Sequence, residues 1–235
     1  MIKLLPNFLT LGNLILGMIA VMLCLSGEYQ VAAILVVIGM VVDGLDGRVA
    51  RALGVQSDFG REIDSLSDIV TFGVAPAVIM YVAELHTLGV TGDIITVLFP
   101  VAGALRLARF NISVGRTNYF VGLPITAAGG ILATFVLYRG LIPFYWLPIL
   151  TVALSYLMVS RTRYPNFKKV GLPKTAFAVL PILVISVAYL FFEHRDIVPS
   201  IIFLILGLYG GYGVWHDGRA YMRRRAKERV RRVQE

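Results

Sequence analysis

Four aspartates occur within a largely apolar stretch of sequence, at spacings that place them on two helical stripes. Asp43 and Asp46 are three residues apart and Asp64 and Asp68 are four apart, so each pair lies on one face of a helix. Four unpaired carboxylates at close range would repel one another strongly. Two divalent cations would offset that charge, and all-oxygen ligands suit magnesium or manganese. The spacing therefore predicts a site for two metal ions between two facing helices.

Two glycines lie on the same helical stripes as the aspartates. Gly47 follows Asp46 directly, and Gly60 precedes Asp64 by one helical turn. Because glycine has no side chain, a nucleotide and its phosphates can approach the backbone closely at both positions. Metal ions beside a diphosphate stabilise the attacking and leaving oxygens of a displacement at phosphorus. We therefore expect the chemistry of this site to be phosphoryl-group transfer.

The elements that carry these residues are apolar enough to cross a bilayer. Of 235 residues, 57% are hydrophobic and 15% are charged, against about 45–50% and 25% in a soluble domain. Four carboxylates within spans would cost on the order of 10 kcal/mol, which favours a functional role for them. The composition predicts an all-α integral membrane protein with about eight transmembrane helices. The apolar runs lie near 8–26, 31–53, 59–82, 94–113, 123–140, 142–160, 175–192 and 198–215.

The distribution of basic residues predicts the orientation of these spans. If both termini are cytoplasmic, only Arg139 and Arg195 of the 22 Lys and Arg residues fall outside, as the positive-inside rule requires. The net charge of +8 therefore gives no reason to expect nucleic-acid binding. We expect one membrane domain over 1–218 and a basic cytoplasmic tail over 219–235. The tail either lies on anionic head groups or only fixes orientation.

Two smaller features bear on processing and covalent structure. The first apolar run has no small-residue cleavage signature, so it is expected to be a retained span and not a removed signal peptide. Cys24 is the single cysteine of the chain, so neither an intramolecular disulfide nor a cysteine metal site is expected.

The aspartates and glycines belong to a longer pattern. Asp43-x-x-Asp46-Gly47-x-x-Ala50-Arg51, then eight residues, then Gly60-x-x-x-Asp64-x-x-x-Asp68, matches every position of the signature of the CDP-alcohol phosphatidyltransferase family. The resemblance implies that the four aspartates hold the metals and that Asp68 also serves as general base. It further implies a homodimer, and a nucleotide site lined by four residues: Gly47, Ala50, Arg51 and Gly60.

Shorter strings resemble the integral-membrane phosphatidylserine synthases within that family. This resemblance implies CDP-diacylglycerol as donor, L-serine as acceptor, and phosphatidylserine and CMP as products. It also implies a multi-pass protein of the cell membrane, in contact with membrane lipids, whose active site faces the cytoplasm. The strings are Leu5 to Asn13 (LPNFLTLGN), Ser67 to Ala77 (SDIVTFGVAPA), Arg106 to Asn111 (RLARFN), Gly122 to Pro124 (GLP) and Tyr164 to Lys168 (YPNFK).

Two further groups of polar residues are candidates for substrate contacts. Arg106 and Arg109, with Asn111 nearby, could meet the carboxylate of serine, or could simply follow the positive-inside bias. A second group lies on one face of the first span and could bind the cytosine or ribose, or equally hydrogen-bond neighbouring helices. That group is Asn7, Thr10 and Asn13.

Three alternative functions are compatible with these patterns. Within the family, glycerol phosphate or inositol phosphate could replace serine as acceptor. Outside it, a divalent-cation transporter would also place aspartates inside a membrane, and a non-catalytic scaffold would not need Asp68. Release of CMP distinguishes the enzymes from the transporter and the scaffold.

Overall fold

The computed structural model describes residues 5–113, 119–137, 143 and 145–165. Over this part the chain is helical except for one short ribbon, in which β1 (Tyr119–Val121) pairs antiparallel with β2 (Arg163–Pro165). A π-helical segment, Ile69–Val74, joins the helix that ends at Asp68 to the helix that begins at Ala75, and a 3-10 turn, Leu85–Leu88, follows the latter. The α-helices are α1 (Leu5–Leu25), α2 (Tyr29–Ala52), α3 (Asp58–Asp68), α4 (Ala75–Ala83), α5 (Val90–Ser113), α6 (Ile125–Leu137) and α7 (Trp146–Val159).

Four helical segments are long and apolar enough to cross a bilayer, and they confirm the first four predicted spans. They are Pro6–Leu25, Tyr29–Ala52, Asp58–Ala83 and Val90–Ile112. The fifth and sixth predicted spans coincide with shorter apolar helices, α6 and α7. The predicted spans at 175–192 and 198–215, and the tail from 219, lie outside the described residues. The count of eight spans and the orientation of the termini therefore stay predictions.

The turn between α2 and α3 sets where the two carboxylate-bearing helices end and begin. Gly54 has a φ of 63°, a left-handed conformation that glycine adopts without steric cost and that stops α2. Ser57 then caps α3, because its hydroxyl accepts a hydrogen bond from the backbone N–H of Gly60 at 3.0 Å. Asp58 in the first turn complements the positive end of the helix dipole. Helix α1 packs along both α2 and α3.

The third span, predicted over 59–82, is not one regular α-helix, because a π-helical turn follows Asp68 directly. Pro76 lies in the first turn of α4 and has no N–H to donate to the carbonyl of Phe72 four residues earlier. The N–H of Ala75 bonds instead to the carbonyl of Val70, five residues back. This segment is held by close approach of the surrounding helices. A Cβ added at Gly17 of α1 would lie 2.5 Å from Thr71 Oγ1.

Two backbone hydrogen bonds fix the beginning of α6. Gly122 has a φ of 83°, and its N–H donates to the carbonyl of Thr162 at 2.8 Å. The N–H of Leu123 donates to the carbonyl of Leu157, near the end of α7, at 3.0 Å. Because both bonds lie just before Ile125, they set the position at which α6 starts. The first turn of α6 is thereby placed next to α2.

Candidate metal and nucleotide site

Three of the four aspartates converge on one point. Asp43 from α2 and Asp64 and Asp68 from α3 each offer a carboxylate oxygen, and these three oxygens lie within 4.8 Å of one another. Asp68 is buried, with 7% of its surface exposed, while Asp43 and Asp64 are half-buried. The sequence prediction that the two pairs face each other therefore agrees with the placement of these three residues.

The donor set fits a hard divalent cation. Asp68 Oδ1 is buried and has no hydrogen-bond partner among the described residues, an arrangement that is costly for a carboxylate unless another group satisfies it. Arg106 of α5 lies within electrostatic range of Asp68, as do Asp43 and Asp64. Among the described residues, Arg106 is the cation whose charge acts on Asp68, and one positive charge offsets only part of the charge of three clustered carboxylates. A magnesium or manganese ion, which prefers such oxygen ligands, would supply the remaining positive charge.

Asp46 is placed differently from the other three aspartates. It is buried on α2, and its Oδ2 accepts a hydrogen bond of 2.7 Å from the hydroxyl of Thr10 on α1. It is not a member of the three-carboxylate group. Its predicted role as a metal ligand stays a prediction.

Two hydroxyl residues next to the site were missed by sequence reasoning. Thr126, in the first turn of α6, donates from Oγ1 to Asp43 Oδ2 at 3.5 Å. Ser67, directly before Asp68, donates from Oγ to the backbone carbonyl of Thr10 at 3.1 Å. The available signal was the presence of hydroxyls in apolar helices, where they commonly hydrogen-bond across helices.

Four of the seven predicted nucleotide residues form two neighbouring pairs. A Cβ added at Gly60 would lie 3.2 Å from Asn7 Oδ1, so α1 and the start of α3 approach closely there. A Cβ added at Gly47 would meet only the guanidinium of Arg51, at 3.5 Å. Arg51 is exposed and Ala50 is half-buried on the same helix. Both glycines thus border a polar side chain that could contact a nucleotide.

Asn13 lies deeper in the helix packing than Asn7. It is fully buried, and its Oδ1 would lie 2.9 Å from a Cβ added at Gly39 of α2. Its backbone carbonyl accepts a hydrogen bond from Thr71 Oγ1 at 3.0 Å. The side-chain atoms Oδ1 and Nδ2 of Asn13 are buried and have no hydrogen-bond partner among the described residues, so both interpretations of Asn13 stay predictions.

The three acceptor candidates on α5 have different neighbours. Arg106 is buried, with 7% exposed, and its guanidinium carbon lies 5.3 Å from the centre of the Phe110 ring. Arg109 is exposed and donates to the carbonyl of Val159 at 2.8 Å, which ties α5 to the end of α7. Asn111 donates to Ser65 Oγ of α3 at 3.0 Å. Among the three, Arg106 is the residue whose charge acts on Asp68.

Comparison with known proteins identifies the family. The model of the CDP-alcohol phosphatidyltransferase family matches residues 3–162. The chain belongs to this family. Family membership favours an enzyme over a cation transporter. Together with the four apolar spans, it indicates an integral membrane protein.

Several curated relatives match over most of the chain. A CDP-diacylglycerol–serine O-phosphatidyltransferase of Helicobacter pylori is 39% identical over 219 residues, which cover 89% of each chain. A protein of the same name from Bacillus subtilis is 40% identical over 168 residues, 70% of this chain and 91% of its own length. An archaetidylserine synthase of Methanothermobacter thermautotrophicus is 35% identical, over 71% of this chain and 72% of its own length.

Proposed function

We propose that this protein transfers the phosphatidyl group of CDP-diacylglycerol to the hydroxyl of L-serine, giving phosphatidylserine and CMP. The observation that carries the proposal is the convergence of Asp43, Asp64 and Asp68 in a chain of this family. The choice of serine is supported by the names of the relatives, since the two bacterial ones above are called CDP-diacylglycerol–serine O-phosphatidyltransferases.

The proposed reaction is a displacement at the phosphorus atom that carries the lipid. The serine hydroxyl oxygen forms a new bond to this phosphorus, and the bond from phosphorus to the oxygen of CMP breaks. CMP leaves with the bonding electrons, and the hydroxyl proton passes to the carboxylate of Asp68. A carboxylate has two oxygens, so Asp68 can bind a metal through Oδ1, which is buried and has no hydrogen-bond partner among the described residues, and accept the proton at the other oxygen.

The aspartates are proposed to hold two divalent metal ions. Magnesium or manganese bound there would stabilise negative charge on the attacking and leaving oxygens. The proposed ligands are Asp43, Asp46, Asp64 and Asp68. Helices α2 and α3 each contribute two of these carboxylates and hold them at a fixed separation.

The nucleotide is proposed to lie between the ends of α2 and α3. Gly47 and Gly60 leave room for phosphates near the backbone, and Ala50 keeps that surface small. Arg51 can donate charge-assisted hydrogen bonds to a phosphate from its exposed position. Asn7, next to Gly60, is the best placed of the α1 residues to reach the nucleoside.

The serine carboxylate is assigned to Arg106. A guanidinium can bind a carboxylate through two parallel hydrogen bonds, and this one is buried beside the proposed base. Arg109 and Asn111 make contacts to α7 and α3 that hold α5 in place. We therefore propose that these two support the acceptor site and that Arg106 binds the acceptor.

The remaining sequence predictions complete the proposal. They comprise eight spans, both termini and the active site on the cytoplasmic side, a membrane domain over 1–218 with a basic tail over 219–235, and a homodimer in the cell membrane. Labelling of cysteines introduced singly into the tail and into loops of a Cys24→Ser background would test the orientation.

The acceptor is tested by supplying purified protein with CDP-diacylglycerol and one acceptor at a time. We expect CMP release with L-serine and only background release with glycerol phosphate or inositol phosphate. Release with a phosphorylated acceptor but not with serine would contradict the proposal. Because one relative is named an archaetidylserine synthase, the same assay should compare diacyl and dialkyl-ether CDP-lipids as donors.

A further inference from the structure

We infer that Thr10 is a positioning residue for the metal site, which fixes the carboxylate of Asp46 and couples α2 to α3. This inference rests on the proposed function, because it takes Asp46 to be a metal ligand. Of the two roles that the sequence left open for Thr10, contact with the nucleotide and hydrogen bonding to neighbouring helices, the inference develops the second.

The hydroxyl of Thr10 has two acceptors within reach and one proton to donate. Its Oγ1 lies 2.7 Å from Asp46 Oδ2 and 3.0 Å from the backbone carbonyl of Pro6. A bond to an ionised carboxylate is shorter and about twice as strong as one to a neutral carbonyl. The proton therefore goes to Asp46. Holding Oδ2 fixes the side-chain rotamer of Asp46 and, with it, the direction of the second carboxylate oxygen.

The backbone of Thr10 contacts the other carboxylate-bearing helix. Its carbonyl accepts a hydrogen bond of 3.1 Å from Ser67 Oγ, and Ser67 directly precedes Asp68. One turn further along α1, the carbonyl of Asn13 accepts from Thr71 Oγ1 at 3.0 Å. Thr10, Ser67 and Thr71 are all buried, so water does not compete for these bonds. Thr10 thus bonds to α2 through its side chain and to α3 through its main chain.

This arrangement determines the distance between the two pairs of aspartates. Because α1 is the helix that packs along both α2 and α3, a change at Thr10 alters both halves of the site together. Loss of a hydrogen bond that orients a metal ligand typically lowers metal affinity about 10- to 100-fold. A nucleotide contact, in contrast, would affect CMP binding and leave metal affinity unchanged in the absence of nucleotide.

The test is Mn²⁺ binding to the purified full-length protein without nucleotide, followed by electron paramagnetic resonance. The variant Thr10→Val keeps the size of the side chain and removes the hydroxyl, and Thr10→Ser keeps the hydroxyl. The matched control is Thr134→Val on α6. Thr134 is also buried, and its hydroxyl donates to the carbonyl of Gly130, four residues back, at 2.7 Å.

We expect Thr10→Val to weaken Mn²⁺ binding about 10- to 100-fold, and Thr10→Ser and Thr134→Val to stay within about threefold of the unmodified protein. Ser67→Ala, which removes the bond to the Thr10 carbonyl, should weaken Mn²⁺ binding to a smaller extent. It provides a second measurement should Thr10→Val fail to fold. Unchanged Mn²⁺ affinity in both Thr10→Val and Ser67→Ala would overturn the inference, as would a loss of CMP affinity alone.

Failure of the proposed function gives a different result. If Asp43→Asn leaves Mn²⁺ binding unchanged, the aspartates are not the metal site, and the positioning role of Thr10 is overturned with it. If Asp43→Asn abolishes binding while Thr10→Val does not weaken it, the metal site stands and only the inference about Thr10 is wrong.

Discussion

The two halves of the aspartate site are held in place by different means. In the part of the chain that the structure describes, 61% of the apolar stretch of the third span, which carries Asp64 and Asp68, is buried, whereas only 33% of that of the second span, which carries Asp43 and Asp46, is buried. Neighbouring helices therefore enclose the third span. Among the described residues, α2 is the more peripheral of the two helices, and its Asp43 and Asp46 receive hydrogen bonds from Thr126 of α6 and Thr10 of α1.

This difference indicates which substitutions each half tolerates. An enclosed helix is sensitive to added volume, because its backbone has no space into which it can move. A peripheral helix tolerates volume better, but the direction of its carboxylates depends on individual hydrogen bonds. The predictions below test this contrast, from the largest expected effect to the smallest.

Asp68→Asn should lower kcat about 10²- to 10⁴-fold, the usual contribution of a general base. The folded state should not be weakened, because the change removes one of several clustered like charges. Serine-dependent CMP release and thermal unfolding are the measurements. Asp58→Asn on the same helix is the control, since that carboxylate is exposed and pairs with Arg61 at the surface. Normal turnover in Asp68→Asn would show that Asp68 is not the base.

Arg106→Gln should lower kcat/KM for serine about 10- to 100-fold, because a charged hydrogen-bonded pair contributes about 1.5–3 kcal/mol. The KM for CDP-diacylglycerol should change much less. Arg109→Gln, one turn away, should leave the KM for serine within about twofold, since Arg109 bonds to the end of α7. Equal effects of the two substitutions on kcat/KM for serine would contradict the proposal that Arg106, and not Arg109, binds the acceptor.

Gly17→Ala should destabilise the fold by about 1–3 kcal/mol, because the new methyl group would overlap Thr71 of the enclosed span. Its Cβ would lie 2.5 Å from Thr71 Oγ1 and 2.8 Å from Thr71 Cα. Gly12→Ala on the same helix is the matched control, with no atom within 4 Å of the added Cβ. Thermal unfolding in detergent compares the two variants. Equal melting temperatures would argue against tight enclosure of the third span.

Thr126→Val should have the smallest effect, raising the metal concentration for half-maximal activity about twofold to threefold. The hydrogen bond to Asp43 is long, at 3.5 Å. Its contribution to the free energy should therefore be near the lower end of the range for a hydrogen bond, about 0.5 kcal/mol. Thr126→Ser should restore the value of the unmodified protein. An increase as large as that expected for Thr10→Val would show that α6 orients the peripheral carboxylates as strongly as α1 does.

The sequence predicted the carboxylates of the site better than their surroundings. Helical spacing places Asp43, Asp64 and Asp68 on facing stripes, and the structure brings these three together. Spacing alone does not fix a rotamer, so it gave no sign that Asp46 would bond to Thr10. Arg106 and Arg109 are only three residues apart, yet their partners belong to different helices, and these partners follow from tertiary packing.

Helix boundaries show the same limit. The first four spans were predicted within a few residues, because long apolar runs determine where a chain can cross a bilayer. The π-helical segment after Asp68 was not predicted, since it depends on Pro76 together with the helices that enclose it. The fifth and sixth spans were predicted over 123–140 and 142–160, and the described helices Ile125–Leu137 and Trp146–Val159 lie within them.

The most direct test of the central claim is a metal add-back experiment. Purified protein is stripped with a chelator and given CDP-diacylglycerol and L-serine, and then Mg²⁺ or Mn²⁺ is restored while CMP and lipid product are measured together. We predict no turnover before metal is restored, and equal amounts of CMP and phosphatidylserine afterwards. Turnover in the metal-free protein, or CMP release without phosphatidylserine, would contradict the account.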